Sequence, residues 1–283
     1  MARGISLHVG LNGVDPDHYS HWDGALAACE ADANAMEAIA QSRGFSPTKL
    51  LTQQAKADAI VNAITSAAGE LEAGDIFLIT YSGHGGQVPD LNRDDESDGS
   101  DETWLAYDRQ IIDDELFALW TKFKPGARIL VLSDSCHSGT VTKAITNASV
   151  VPDPVATAEE AAEQSPRFRA LPHDKMIETY AQNRALYDGI QKQIPSSTKS
   201  TAELQSRVLL ISGCQDNQLS RDGFMNGAFT GKLLEIWNDG AWSGGYAAFH
   251  EAIRGQMPDD QQPNYNPTGP ENREFEQQNP FTV

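Results

Sequence analysis

The sequence predicts an α/β fold in which a largely parallel sheet is covered by helices on both faces. Short apolar runs alternate with helical patterns along the chain, which is the arrangement that such a sheet needs. Two of these runs, I-F-L-I-T-Y at 76–81 and A-R-I-L-V-L-S at 127–133, are almost continuously apolar, as is typical of strands buried on both faces. The composition, 40% hydrophobic and 22% charged over 283 residues, is ordinary for a globular protein and excludes a disordered, collagen-like or coiled-coil chain.

Local patterns support each predicted element. Residues 5–11 form the first apolar run, and the alanine-rich stretch 25–41 has apolar residues at near-helical spacing before Gly44 ends it. A second helical pattern covers residues 55–71. The other predicted elements are a short strand at 49–52, a polar helix at 113–121, a strand at 207–212 and late helices at 228–238 and 246–256, before a tail rich in Pro, Asn and Gln.

Two segments interrupt this alternation. Residues 90–115 carry eleven acidic residues against two arginines, a net charge of −9, and are interpreted as an acidic loop that leads into the polar helix. Residues 144–206 are poor in strand-forming residues and contain five prolines. This second segment is interpreted as an insertion that is helical around residues 175–193 and otherwise loose and exposed.

The charge and the cysteine count indicate the environment of the protein. A net charge of −19 opposes binding to nucleic acid or to an anionic membrane and favours cationic partners. No apolar run approaches the roughly 20 residues of a membrane span, and residues 1–11 are too short and polar for a signal-peptide core. Three cysteines in a chain of this length do not make a disulfide framework, so we expect a cytoplasmic protein.

Polar clusters follow the two most apolar strands. The first strand runs into S-G-H-G-G at 82–86, and the second runs into D-S-C-H-S-G at 134–139. Because ligands bind beyond the carboxyl ends of parallel strands, His84 and Cys136 are expected to face one another there. They would supply an imidazole base and a thiol nucleophile, and the amide hydrogens of Gly85 and Cys136 could bind a developing oxyanion. A buried, inert cysteine and a hydrogen-bonded turn histidine remain the alternative.

These motifs resemble those of the caspase-like cysteine peptidases, specifically the metacaspases and their bacterial relatives. The sequence separation of 52 from His84 to Cys136 matches the caspase spacing of about 50. The resemblance covers residues 5–139 and resumes at 207–232 with R-V-L-L-I-S-G-C-Q-D-N-Q. It implies a caspase-like fold, with a mostly parallel six-stranded sheet between helices in one domain. That domain would comprise a large-subunit-like part (1–143), an insertion or linker (144–206) and a small-subunit-like part (207–283).

The resemblance also implies hydrolysis of peptide bonds after Arg or Lys, with His84 as the general base and Cys136 as the nucleophile. A pocket for a basic side chain requires carboxylates. Cys29 and Asp32 match the family's pocket pattern, Asp134 is a candidate because it lies two residues before Cys136, and Ser82 completes the expected set. Taken singly, Asp32 could be a surface acid and Cys29 a core residue.

The acidic segment suggests calcium, which selects oxygen ligands. An EF-hand that starts at Asp94 is excluded, because its twelfth position is Leu105 where a glutamate is needed. The resemblance instead implies a regulatory calcium site formed by Asp101, Asp113 and Asp114. A further carboxylate of the family pattern is replaced by Lys143, which opposes calcium binding, and a solvated acidic loop is the alternative.

Self-processing and a monomeric state are further expectations from the family. A self-cleavage site is expected among the basic residues in or beside the insertion. They are Lys143, Arg167, Arg169, Lys175, Arg184, Lys192, Lys199 and Arg207. Three alternatives stay open: a catalytically silent scaffold that binds partners through the same cleft, a peptidase that does not require Arg or Lys, and a calcium-binding module without chemistry.

Overall fold

The computed structural model describes residues 2–91, 99–135, 167–194 and 204–283, except 216, 217, 219 and 224. Its centre is a six-stranded sheet beside a small three-stranded sheet. The strands are β1 Gly4–Gly10, β2 Ser46–Leu51, β3 Ile76–Ser82, β4 Gly85–Pro89, β5 Ser100–Leu105, β6 Gln110–Ile112, β7 Arg128–Asp134, β8 Arg207–Ser212 and β9 Asn264–Thr268. The strand order is β2-β1-β3-β7-β8-β9 in the large sheet and β4-β5-β6 in the small one. The helices are α1 Cys29–Ser42, α2 Ala57–Glu70, α3 Asp113–Trp120, α4 His173–Gln193, α5 Ala228–Trp237, α6 Tyr246–Arg254 and α7 Arg273–Gln277.

The six-stranded sheet is parallel except for β9, which runs antiparallel to β8. This confirms the predicted α/β class and its mostly parallel sheet. The outermost strands, β2 and β9, are the least buried, and each contains a proline, Pro47 and Pro267 respectively. The four inner strands include the two apolar runs of the sequence, β3 and β7, in which every residue is buried.

Helices cover both faces of this sheet and make two apolar cores. On β3, Phe77 and Ile79 pack in one core with residues of α2 and α3, whereas Ile76 and Leu78 pack in the other with residues of α1, α5 and α6. Alternate side chains of one strand therefore serve opposite layers, as the pleat requires. Burial of each such side chain contributes about 1.5–3 kcal/mol, which is why the continuous apolar runs form the middle of the sheet.

The acidic segment was wrongly predicted to be a loop. It contains β5 and β6, which form antiparallel pairs next to β4, and residues 92–98 lie outside the described residues. Trp104, Leu105 and Ile111 from this segment are buried in the structure. The many charged residues of this segment made its apolar residues easy to overlook. These apolar residues are enough to form short strands, because β4 is available for pairing.

The tail, for which no element was predicted, supplies β9 and the short helix α7. β9 has the sequence N-Y-N-P-T, and its strand conformation follows from pairing with β8 rather than from any apolar pattern. Elsewhere the predicted elements were found with shifted ends: α1 begins at Cys29, and β2 extends back to Ser46. The predicted helix in the insertion is α4.

Among the described residues, no helix combines the length and the apolar character that a membrane crossing requires.

Candidate active site

The candidate site lies at the carboxyl ends of β3 and β7, which are neighbouring parallel strands. Their register pairs Ser82 with Asp134 at the last position of each strand. His84 follows Ser82 by two residues, and Cys136 follows Asp134 by two residues. The structure describes this second segment as far as Ser135, so Cys136 lies outside the described residues.

His84 is buried and held by a main-chain carbonyl. Its Nε2 lies 2.9 Å from the carbonyl oxygen of Gly24, and its ring packs against Trp22 with 4.7 Å between ring centres. Because a carbonyl can only accept a hydrogen bond, Nε2 must carry the hydrogen, and Nδ1 of the neutral ring then keeps its lone pair. Within the described part of the chain, Nδ1 has no hydrogen-bond partner. The ring is therefore oriented with a free base nitrogen.

Sequence reasoning named no group that orients His84, and Gly24 has this position in the structure. Gly24 adopts φ of +58°, in the left-handed region that glycine enters without a Cβ penalty. No motif marks this residue in the sequence, because its role depends on a main-chain oxygen that the fold brings from a loop 60 residues away.

Burial lowers the pKa of His84 to about 4, although the hydrogen bond to Gly24 opposes this shift. The imidazole is therefore uncharged at neutral pH, the form in which Nδ1 can accept a proton. Its proton affinity rises when a negative charge develops beside it, as in the thiolate that forms when it deprotonates a thiol.

We expect the His84 imidazole to titrate with a midpoint near pH 4, well below the ordinary histidine value of 6.5. The protonated ring would be a cation in a buried site, so protonation is delayed to lower pH. NMR of ring-labelled histidine in a Cys136→Ala protein measures this midpoint, with the His84→Gln spectrum to assign the resonance. A midpoint at 6.5 or above would contradict the prediction.

The predicted pocket residues lie together beneath this site. The Ser82 hydroxyl donates to the Asp32 carboxylate over 2.7 Å, and Asp32, Ser82 and Asp134 are all buried. Burial raises the pKa of the Cys29 thiol to about 12, a shift that nearby Arg169 opposes. Cys29 therefore lines the pocket as an uncharged thiol.

Hydrogen-bond donors hold the two predicted carboxylates in place. Asp134 accepts from the Ser220 hydroxyl at 2.6 Å and from the Thr230 hydroxyl at 2.7 Å. Asp32 accepts from the amide side chain of Asn226 at 2.9 Å and from the main-chain N–H of Gly227 at 3.0 Å. These hydrogen bonds hold each buried carboxylate in one orientation, so the lone pairs that they leave unused point in a fixed direction.

Asp222 is a third carboxylate of the pocket, which sequence reasoning missed. Its side chain is 2% exposed and accepts from the main-chain N–H groups of Ala27 at 2.6 Å and Ala28 at 3.3 Å, just before α1. It lies in the polar stretch S-R-D-G, where nothing distinguishes it from a solvated acid. Only the fold brings it next to Asp32 and Asp134.

The guanidinium of Arg169, from the insertion, occupies this pocket. Its Nη1 lies 2.9 Å from the Ser82 hydroxyl and 3.0 Å from the Asp134 carboxylate. Its Nη2 lies 2.8 Å from Asp32 and 3.0 Å from Asp222. The side chain is wholly buried, so the expectation that this part of the insertion is an exposed linker was wrong. The charge of the pocket explains this burial, because attraction to three carboxylates offsets the free-energy cost of removing one guanidinium from water.

The guanidinium of Arg169 fits in the pocket because Gly227, which lies against it on one side, has no Cβ. A Cβ added to Gly227 would lie 2.4 Å from Nη2 of Arg169, which leaves no space for an alanine there. Burial by itself would lower the pKa of Arg169, but the charges of Asp134 and Asp32 outweigh it and hold that pKa well above its ordinary value. Burial also raises the pKa of Asp32, and Arg169 opposes that shift. The guanidinium is thus a permanent cation bound by an anionic pocket.

The main chain around Arg169 is extended and bonded on both sides. On one side, the Gly85 N–H donates to the Arg169 carbonyl over 2.9 Å, and the Leu171 N–H donates to the Gly85 carbonyl over 2.8 Å. On the other side, the Arg169 N–H donates to the Ser220 carbonyl over 3.0 Å, and the Asp222 N–H donates to the Arg167 carbonyl over 2.9 Å. The amide hydrogen of Gly85, assigned from sequence to an oxyanion, therefore already contacts a carbonyl oxygen.

The residues predicted to hold calcium lie apart from this pocket, on β5 and the first turn of α3. Asp101 and Asp114 are fully buried, and Asp113 is half-buried. In the described ranges, no group of three or more His, Cys, Asp or Glu side chains is arranged to hold a metal ion. Lys143 lies outside the described residues.

Comparisons with known proteins identify the family of this architecture. The caspase-domain family model of peptidases matches residues 14–278. Metacaspase-1 of Schizosaccharomyces pombe is 29% identical over 213 residues, which cover 69% of this chain and 49% of that protein. Metacaspase-1 of Mycosarcoma maydis is 29% identical over 252 residues, which cover 80% of this chain and 59% of that protein. The chain thus spans about half the length of the curated relatives it matches.

Two solved structures have folds similar to that of this chain. The crystal structure of a Geobacter sulfurreducens protein has a TM-score of 0.87 and 49% identity, and the match covers 99% of each chain. Caspase-1 from Spodoptera frugiperda has a TM-score of 0.52 at 14% identity, over 95% of this chain and 86% of that one, which supports the caspase-like fold alone. The chain therefore belongs to the caspase-domain family, as a metacaspase-like member of that clan of peptidases.

Proposed function

We propose that this protein is a cysteine endopeptidase that cleaves peptide bonds after Arg or Lys, with Cys136 as the nucleophile and His84 as the base. The observation that carries this proposal is the position of Arg169. Its guanidinium occupies a buried pocket of carboxylates while its carbonyl oxygen accepts a hydrogen bond from Gly85. A substrate arginine bound in the same way would present its carbonyl at the ends of β3 and β7.

The proposed reaction combines His84 and Gly85, which the fold orients, with the thiol of Cys136. His84 Nδ1 takes the thiol proton of Cys136, and the sulfur attacks the substrate carbonyl carbon. The amide hydrogens of Gly85 and Cys136 stabilise the oxyanion of the tetrahedral intermediate. The intermediate collapses to a thioester as His84 gives the proton to the leaving amine, and water then hydrolyses the thioester to release the carboxylate product.

The pocket geometry favours arginine over lysine among substrates. The two terminal nitrogens of a guanidinium contact different partners, Ser82 and Asp134 on one side and Asp32 and Asp222 on the other. A lysine ammonium is a single point charge and would reach one of these sides at a time. The expected preference for arginine over lysine therefore depends on the carboxylates that lie on both sides of the guanidinium.

Five further expectations belong to this proposal. We infer a monomer in the cytoplasm that acts on peptide or protein substrates, processes its own chain and is modulated by calcium at Asp101, Asp113 and Asp114. For self-processing, the support is the basic residue of the insertion in the pocket. For calcium, the support is the burial of two of the three carboxylates, Asp101 and Asp114. In this proposal calcium modulates the activity and takes no part in the chemical steps.

We expect the protein to release a fluorophore from Arg peptide amides faster than from Lys peptide amides, and not from Asp peptide amides. The reason is the anionic pocket, which repels an acidic side chain and binds a guanidinium on two sides. Initial rates for the three substrates, with calcium or with a chelator, measure both the specificity and the calcium effect.

The matched control for this assay is Cys136→Ala, which removes the sulfur and should retain no hydrolysis. Absence of hydrolysis by the wild-type protein on every substrate, with and without calcium, would contradict the proposal and favour a silent binding scaffold. Equal rates on Asp and Arg substrates would contradict the assignment of the pocket.

A further inference from the structure

We propose that the bond between Arg169 and Ala170 is the one that this protein cuts in its own chain. The inference rests on the proposed cysteine peptidase function and goes beyond it by naming one bond. Three independent features of the described residues carry it: the location of the side chain, the hydrogen bonds of the main chain and the place of the carbonyl group.

The side chain distinguishes Arg169 from the other basic residues of the region. Arg167, two residues earlier in the same extended segment, is exposed, whereas Arg169 is wholly buried among three carboxylates. Lys175, Arg184 and Arg207 form ion pairs with Glu178, Asp188 and Glu276 respectively, outside the pocket. Lys192 is exposed on α4, and Lys143 and Lys199 lie outside the described residues.

The main chain around Arg169 has the form in which peptidases bind a substrate. Residues 167–171 are extended between Gly85 on one side and residues 220–222 on the other, with an antiparallel bridge from Phe168 to Arg221 and a parallel bridge from Ala170 to Gly85. Main-chain bonding of this kind adds a strand to a protein edge and fixes the register of the bound segment. The register places Arg169, and no neighbouring residue, over the pocket.

The carbonyl group of Arg169 completes the arrangement. Its oxygen accepts from the Gly85 N–H, the donor that would stabilise an oxyanion, and it therefore lies beyond the carboxyl end of β3, beside His84. The segment continues past this point, because the Leu171 N–H donates to the Gly85 carbonyl. The bond that follows the Arg169 carbonyl thus crosses the site, with bound chain on both of its sides.

The cut would follow the proposed hydrolysis. A bond forms between the Cys136 sulfur and the Arg169 carbonyl carbon, the bond to the Ala170 nitrogen breaks, and that nitrogen receives the thiol proton through His84. Water then cleaves the thioester, so the products are an Arg169 carboxylate and an Ala170 amine, with the thiol restored. No oxidant, reductant or further reactant is needed. The fragments would contain 169 and 114 residues.

Intact-mass and terminal-peptide mass spectrometry of the full-length protein, before and after incubation with calcium or with a chelator, tests this inference. We expect wild-type protein to yield fragments that end at Arg169 and begin at Ala170, and Cys136→Ala to stay intact. Arg167→Gln is the matched control in the same segment and should be cut as the wild type is. Arg169→Gln should lose this cut, and Arg169→Lys should be cut more slowly.

The outcomes separate this inference from the proposed function. Wild-type protein that hydrolyses Arg peptide amides but remains intact, or is cut only after another residue, would overturn the assignment of Arg169 and leave the peptidase function standing. Protein that neither hydrolyses such peptides nor cuts itself would instead contradict the proposed function. Because the site is mapped in the wild-type protein, the result does not depend on whether the Arg169 variants fold.

Discussion

Replacement of His84 by alanine is expected to lower kcat for Arg peptide amides by about 10³-fold, the usual contribution of a positioned general base. The structure gives the physical reason. Nε2 is bonded to Gly24, burial keeps the ring uncharged, and Nδ1 is left available for a proton. The measurement is the initial rate at saturating substrate.

His250→Ala is the matched control for this variant. His250 is also buried, and its Nε2 also lies 3.0 Å from a carbonyl oxygen, that of Pro263, but it belongs to α6 in the helical layer. The two variants lose a comparable buried ring and a comparable hydrogen bond, so their thermal stabilities should fall by similar amounts. A His84→Ala protein that kept more than a tenth of the wild-type kcat would argue against a base role.

Replacement of Arg169 by methionine is expected to lower the free energy of unfolding by about 3 kcal/mol or more, the cost of leaving buried charges without their partner. Arg169 is the cation that lies among Asp32, Asp134 and Asp222, whose side chains are each 2% exposed. The comparison is made by chemical denaturation in a Cys136→Ala background, so that both chains remain whole.

The loss of stability should depend on pH in a defined direction. Burial already raises the pKa of Asp32 above its ordinary value of 3.8, and removal of the guanidinium raises that pKa further. The folded variant then keeps a proton that the unfolded chain loses above pH 3.8, so its stability falls as the pH rises from there towards neutrality. The difference in the free energy of unfolding between the parent and the Arg169→Met protein should be smallest near pH 4 and largest near pH 7.

A soluble guanidinium ligand provides the complementary test. N-acetyl-argininamide should raise the melting temperature of the Arg169→Met protein at neutral pH, because it binds the folded pocket and not the unfolded chain. N-acetyl-lysinamide should raise it less, since its ammonium reaches one side of the pocket. If the Arg169→Met protein is as stable as its parent and neither ligand raises its melting temperature, Arg169 does not stabilise the buried carboxylates of the pocket.

The central sheet could be predicted because its signals are local. Continuous apolar runs at 76–81 and 127–133 correspond to strands buried on both faces, and the polar residues that follow them reach one edge of the sheet by topology alone. For the same reason Asp134 and Ser82, at the last positions of these strands, could be placed together. Asp32 required the family pattern, since a single acid in a helix has no pocket signature of its own.

The rest of the candidate site depends on long-range packing that leaves no local pattern. Asp222 and Gly24 lie in irregular segments, and their roles come from a carboxylate and a carbonyl that meet residues far away in sequence. Arg169 was only one of eight basic residues in or beside the insertion, and no local pattern distinguished it from the others. Its burial follows from three carboxylates that themselves come from α1, β7 and the loop before α5, and no local analysis can combine such contributions.

The two prolines on the outer strands of the large sheet have a consequence for how copies of this protein behave at high concentration. An unprotected strand edge recruits further strands and so promotes amyloid-like aggregation. Proline offers no amide hydrogen to an incoming strand, and Pro47 in β2 and Pro267 in β9 interrupt the donor row on each flank of the sheet. Growth of the sheet by edge-to-edge stacking of neighbouring molecules is thereby disfavoured at both ends.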